Sequence, residues 1–306
     1  MATTLNITTT YAGEAAGKFI SAALLSASTI DDGGVSVLPN VQYKQIIQRL
    51  DTDNLIKNGG CDFDPSSTVD LTEVVLTPKE LQVNLQLCKK DFIQTWDAMS
   101  MGYGNSQTLP TSFADYLIAY VAAKVAAENE TTIWQGNAAN AGEYEGLESI
   151  ANTCGAIPVA LNAFTSTNII DELQKVVDAI PNSVFGKEDL KLYISNKAAK
   201  LYIRALGGFV AGIGGAGTDN RGTQWYNNGS LSFGGIPVFV ARGMSDDTAM
   251  AFESSNAYFG TGLLDDFNQV KVIDMADIDG SQNVRMVMRM KGSVQFGVCA
   301  DVVYGS

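Results

Sequence analysis

The chain has 306 residues, 46% of them hydrophobic, with 20 basic and 33 acidic side chains and a formal net charge of −13. Such a length and apolar content allow a sizeable core, in one large domain or two of ordinary size, and argue against disorder, while a dispersed acidic excess repels phosphate backbones and argues against direct nucleic-acid binding. The absence of histidine removes the side chain most used for proton transfer near neutral pH and for transition-metal ligation, which excludes Ser-His-Asp, Cys-His and His-zinc sites.

The Thr-rich opening, 1–10, has little to anchor it and reads as an extended arm. An Ala-rich stretch from Tyr11 to Ser28 predicts a helix. Its apolar part, Phe19 to Ala27, lacks the basic flank of a signal peptide, and no apolar run approaches the ~20 residues of a membrane span, so the chain reads as cytoplasmic and soluble. After Asp31, Asp32, Gly33 and Gly34 the chain restarts at Val35 to Pro39, and a short helix is predicted around Tyr43 to Leu50. Val69 to Thr77 and Glu80 to Leu87 then read as the two strands of one hairpin, joined at Pro78 and Lys79. In the second strand Leu81, Val83, Leu85 and Leu87 alternate with Gln82, Asn84, Gln86 and Cys88, so one side is apolar and the other polar and uncharged. Two strands alone are marginal in water; the apolar side must lie on something else, and a neighbouring molecule is the candidate.

The strongest helical signal runs from Ser112, a plausible N-cap, to Gly136, a plausible stop, with Phe113, Leu117, Tyr120, Val121 and Val125 as its apolar stripe. A loop follows at Asn137 to Gly142, then a helix from Asn168 to Ala179 ended by Pro181, a strand from Leu190 to Ser195 and a helix from Lys197 to Leu206. Residues 207–235 are glycine-rich without periodicity and read as a long loop. Short strands resume at Ile236 to Ala241, Thr248 to Phe252, and Tyr258 to Phe259. Near the end Val284, Met286, Met288 and Met290 alternate with Arg285, Val287, Arg289 and Lys291, the period of two that a half-buried strand requires.

Several fragments resemble chemical motifs without their context. Gly212, Gly214 and Gly217 match a dinucleotide fingerprint, but a helix precedes them where a strand is needed. Gly13 to Lys18 falls one residue short of a phosphate loop, with Phe19 in the place of the magnesium-binding hydroxyl. Asp62, Asp64 and Glu73 fit three positions of a calcium loop, but Pro65 interrupts it and Ser67 replaces its glycine; Asp277, Asp279 and Gly280 read as a turn between strands. The pairs Asp31 and Asp32, Asp246 and Asp247, and Asp265 and Asp266 read as turn residues bonding their own backbone. Cys61, Cys88, Cys154 and Cys299 form no C-x-x-C pair and read as buried thiols, with Cys61 and Cys88 close enough along the hairpin to face each other in an oxidising compartment.

The order of these elements, together with Ile133, Trp134, Gln135, Gly136, then Leu192, Tyr193, Ile194, Ser195, Asn196, and Gly235, Ile236, Pro237, Val238, resembles the major capsid proteins of tailed bacteriophages, which have the Hong Kong 97-type shell fold. The resemblance spans nearly the whole chain and implies an α+β fold. It places an N-terminal arm and leading segment at 1–59, an extended-loop hairpin at 60–92 lying across an adjacent subunit, a peripheral domain with its spine helix at 93–166 and 263–306, and an axial domain at 167–262. Leu81, Val83, Leu85 and Leu87, with Lys79 at the hairpin tip, become the candidate inter-subunit contacts, and Lys79 the candidate for a covalent crosslink of the kind some relatives form. No catalytic, cofactor-binding or metal-binding residue is expected, and no cofactor.

The function so implied is a shell of pentamers and hexamers of this chain, assembled in the bacterial host cytoplasm and residing in the virion. It would enclose double-stranded DNA without sequence-specific binding and without a membrane. A separate scaffolding protein and a portal are implied partners, with a decoration protein as a possible addition. An encapsulin-type compartment is the alternative within the fold; a tail-tube or surface-layer protein is the alternative outside it.

Overall fold

A computed structural model describes residues 28–52, 56, 58–59, 69–88, 111–206, 231–262 and 270–306. The N-terminal arm, all but the last residue of the helix expected over Tyr11 to Ser28, Cys61, Asp62, Asp64, the glycines of 207–230, Asp265 and Asp266 lie outside the described residues.

One sheet is built on the segment whose alternation was plainest. Strand β12 (Asn283–Phe296) is flanked from Asn283 to Gly292 by β4 (Lys79–Cys88) and from Val284 to Met288 by β11 (Val270–Asp274), both antiparallel, and its last residues pair with β10 (Ala257–Thr261). Beyond β10 lies β1 (Ser36–Leu38), parallel to it. The alternation works as expected: Val284, Met286 and Met288 are buried while Arg285 and Arg289 are exposed. Directly opposite them on β4 stand Leu87, Leu85 and Val83, with Leu81 facing Met290.

This pairing corrects the predicted hairpin. Strands β3 (Val69–Leu76) and β4 follow each other in sequence but do not pair; β4 joins β12, and β3 joins β2 (Gln45–Thr52) in a separate two-stranded ribbon. The residues predicted as a helix around Tyr43 to Leu50 are therefore mostly strand. Isolated helix preference is weak, and eight consecutive antiparallel partners on β3, from Gln45 opposite Leu76 to Thr52 opposite Val69, override it.

The second sheet has the order β5-β13-β9-β6-β8-β7. Its strands are β5 (Ile157–Val159), β13 (Val303–Gly305), β9 (Ala249–Glu253), β6 (Leu190–Ser195), β8 (Ile236–Ala241) and β7 (Leu231–Phe233). Helices α4 (Ile169–Asp178) and α5 (Asn196–Leu206) pack against one face, on Leu190, Leu192, Ile194, Ala249, Ala251 and Val303. The intervening residues Tyr193, Met250, Phe252 and Tyr304 fill the other face. A sheet covered on both sides needs apolar residues at consecutive positions, which is why LKLYIS and AMAFE carry no alternation. Leu231 to Phe233, expected as loop, forms a hairpin with β8 because Gly234 and Gly235, at φ 57° and 85°, supply the left-handed pair that a two-residue turn needs. Of the strands of this sheet, β5 and β13 fall in 93–166 and 263–306 and the other four in 167–262; β10, also in 167–262, belongs to the first sheet.

Helix α2 (Thr111–Gln135) joins the two layers. Val121 and Val125 pack with Met286 and Met288, while Tyr120, grouped with them by spacing, is exposed; the side chains of Phe113 and Leu117 lie outside the described residues. At its C-terminal end Trp134 meets Tyr193 at 5.5 Å, Tyr193 stacks on Phe252 at 4.0 Å, and Phe252 meets Phe296 edge-on at 5.1 Å. That aromatic column ties α2, β6, β9 and β12 together. Beside it the buried Glu130 carboxylate accepts hydrogen bonds from the Thr29 amide and hydroxyl, and the Trp134 indole donates to the same hydroxyl. The short helix α1 (Ser28–Asp31) is held there.

The cysteine expectation is also corrected. Cys154 and Cys299 form a disulfide, with Cα atoms 5.9 Å apart across 145 residues of sequence. Cys154 ends α3 (Leu147–Cys154) just before β5, and Cys299 lies just before β13; the parallel pairing of β5 with β13 draws the two together, which no local spacing reveals. Cys88 is a free thiol.

Candidate assembly surfaces

Pleating sorts the side chains of the β2–β3 ribbon into two faces. Register puts Ile46 opposite Val75 and Leu50 opposite Leu71 on one of them, with Val69 at the end, and between the two apolar pairs the Gln48 amide donates to the Glu73 carboxylate at 3.1 Å. All five apolar residues are exposed, Leu50 by 64% and Leu71 by 55%. The root of the ribbon is different: Leu76, the last residue of β3, is only 1% exposed. It seats on Gly260 of β10, where an added Cβ would stand 2.3 Å from its Cδ2. One end is thus plugged into the core while the length presents an uncovered apolar stripe.

The residues predicted for this role lie elsewhere. Leu81, Val83, Leu85 and Leu87 do form an apolar face, but it is covered by their own chain: Leu81 packs near Tyr144 and Val294, and the other three against Val121, Val125 and the methionines of β12. Lys79 is at the root of β4 and not at a hairpin tip. Its ammonium donates to the carbonyls of Glu143 at 2.7 Å, Ala138 at 3.1 Å and Asn140 at 3.4 Å, so it ties down the loop after α2. In that loop the Asn137 amide and the Asn140 side chain donate to the Glu143 carboxylate, which holds its pKa below the ordinary value, with a smaller contribution from Lys79. The exposed apolar residues that sequence reasoning did not single out are Ile46, Leu50, Leu71 and Val75. The signal was present, since Ile46, Gln48 and Leu50 sit two apart, but two adjacent isoleucines blurred the period.

The acidic fragments have structural duties. Asp247 accepts two bonds from Lys197, at 2.7 and 3.0 Å, and one from the Phe164 amide, so it braces α5 and the approach to α4 instead of bonding its own backbone; Lys197 first and then that amide lower its pKa. Buried Glu148 on α3 accepts from the Ser245 amide and hydroxyl at 2.8 and 2.6 Å; burial raises its pKa against the pull of those bonds. Asp279 and Gly280 close the single helical turn α6 (Ala276–Asp279) between β11 and β12. Among the described residues no three Cys, Asp or Glu side chains are grouped to hold a metal ion, and no helix is long and apolar enough to cross a membrane.

No family model matches the sequence, and no curated protein matches it. Solved structures do. The capsid of a native GTA particle superposes with a TM-score of 0.65 at 13% identity, covering 92% of this chain and 91% of that one. A chain of Gordonia phage Cozz gives 0.61 at 13% identity over 97% and 91%, and the capsid of Myoviridae phage XM1 gives 0.57 at 11% identity over 92% and 92%. The fold of this chain is therefore that of tailed-phage capsid proteins, the Hong Kong 97-type shell fold.

Proposed function

We propose that this protein is the major capsid protein of a tailed bacteriophage, assembling through itself into an icosahedral shell that resides in the virion and encloses double-stranded DNA. The observation that carries the reading is the β2–β3 ribbon, anchored at Leu76 and apolar along an exposed face. A two-stranded ribbon does not hold such a face in water without a partner, and in a closed homomeric assembly the partner is another copy. The inter-subunit role given in the sequence to Leu81, Val83, Leu85 and Leu87 passes to Ile46, Leu50, Val69, Leu71 and Val75. Repeating one modest contact many times around a closed surface yields a stable whole from individually weak joints. The net charge of −13 suits a container wall that need not attract its contents.

Domain roles follow the same reading: α2 is the spine of the peripheral part, and the six-stranded sheet with α4 and α5 is the axial part. A separate scaffolding protein, a portal and, on some shells, a decoration protein belong to the proposal as partners. Electron microscopy of the purified chain, with scaffold supplied, tests it. Closed particles or capsomer rings are expected; a persistent folded monomer at high concentration overturns it. Denaturing gels of assembled shells test the crosslink, and a monomer band is expected because the Lys79 ammonium is already held by three carbonyls of its own chain.

A further inference from the structure

Helix α5 carries Lys197, Lys200, Leu201 and Arg204 on one stripe, opposite the buried stripe of Ala198, Ala199, Tyr202 and Ala205. The stripe lines a surface groove of about 450 Å³ that also takes in Asn196 and Asp246. Lys197 is neutralised by Asp247. Lys200 and Arg204 are exposed and, among the described residues, have no anionic partner, in a protein whose acidic side chains outnumber its basic ones 33 to 20.

The complementary feature lies on the same sheet, at the end where β6 begins. Glu188 and Asp189 are exposed just before that strand, and Lys187, which precedes them, is ion-paired with Glu253. A second groove, of about 390 Å³, is lined by Phe185, Lys187, Glu188, Gly235 and Pro237; Phe185 is 52% exposed, the Lys187 ammonium is taken up by Glu253, and Asp189 follows Glu188 outside the lining. Aromatic ring and carboxylates side by side are what a guanidinium and an ammonium pair with, through its face and its charge respectively.

We infer that the basic stripe of α5, Lys200 and Arg204, docks on the exposed carboxylates of Glu188 and Asp189, beside the Phe185 groove, of a second copy. The two features differ, so the contact is heterologous, and a heterologous contact whose rotation closes makes a ring. This rests on the shell reading above and adds to it the charge pairing that joins neighbours around a capsomer axis. The net negative charge of each copy opposes association in general; local pairing of opposite charge fixes which faces meet.

The experiment is a charge-swap series on the full chain, with assembly followed by native mass spectrometry and light scattering and folding by circular dichroism and melting. The double variant Lys200→Glu with Arg204→Glu should melt like the wild type yet need a protein concentration roughly tenfold higher or more to form rings, since like charges then face each other. Adding Glu188→Lys and Asp189→Lys to it should restore assembly. Normal assembly of the double variant overturns the inference and leaves the shell reading intact. Loss without restoration by the second pair also overturns it, because the stripe then meets some other surface, and so does normal assembly with weakened retention of DNA, which assigns the stripe to phosphate. Failure of the wild type to assemble under the same conditions overturns the shell reading as well.

Discussion

Replacing Leu50 and Leu71 by serine separates what the ribbon does for the subunit from what it does for the shell. Fully burying a leucine is worth about 1.5–3 kcal/mol, and these two leave 64% and 55% of their surface in water. Covering the remainder in an assembly should therefore contribute about 1–2 kcal/mol each, or roughly 2–4 kcal/mol for the pair. At 1.4 kcal/mol per tenfold, one pairwise contact weakens by roughly 30- to 700-fold. The two side chains face each other across the ribbon and touch no buried cluster; the part of them already covered is worth about 1–2 kcal/mol for the pair, so the isolated subunit should melt only a few degrees below wild type. Sedimentation velocity across a concentration series reads the first quantity and thermal unfolding of unassembled subunit the second. Unchanged assembly would refute the assignment of this face, and a subunit melting about ten degrees lower or more would mean the leucines are covered within the chain.

Gly260 should be intolerant: Gly260→Ala places a methyl 2.3 Å from the buried Leu76 side chain, so proteolysis of the ribbon should accelerate, and Leu76→Ala alone, which removes the plug, should accelerate it as well. Removing the Cys154–Cys299 bond by double serine substitution frees a loop of 145 residues; chain entropy puts the loss at about 5 kcal/mol at most, to be read as a lower denaturant midpoint that reductant lowers no further. Glu130→Ala leaves the Thr29 amide and the hydroxyl it shares with Trp134 short of their buried acceptor, a cost of roughly 2–4 kcal/mol, measurable by denaturant unfolding. The Glu172 carboxyl titrates below its ordinary 4.5, chiefly through Lys175, and that of Asp247 below 3.8, chiefly through Lys197. A carboxylate with a lowered folded pKa binds fewer protons than its unfolded form, so its contribution is complete above the ordinary value and disappears as pH falls through the folded one. Glu172→Gln and Asp247→Asn should flatten the melting temperature between about pH 5 and pH 2.

Wherever a segment's surroundings could be inferred from its own period, the sequence determined the result. The alternation of Val284 to Lys291 names β12 and its buried side, Asn168 and Pro181 bracket α4, and LKLYIS reads as a strand although it does not alternate. Pairing is another matter, because a strand's own residues do not say which distant edge completes its hydrogen bonds. β4 passed over its neighbour in sequence for β12, whose methionines match its leucines and valine rung for rung; β3, left without it, took β2, a segment whose residues alone favoured a helix. That exchange moved the candidate contact surface from Leu81, Val83, Leu85 and Leu87 to Ile46, Leu50, Leu71 and Val75. The disulfide has the same origin, since Cys154 and Cys299 are brought together by two three-residue strands. Local pattern fixes which side of an element is apolar; only the tertiary structure decides whether that side is already covered, because covering it is a contact between residues far apart in the chain.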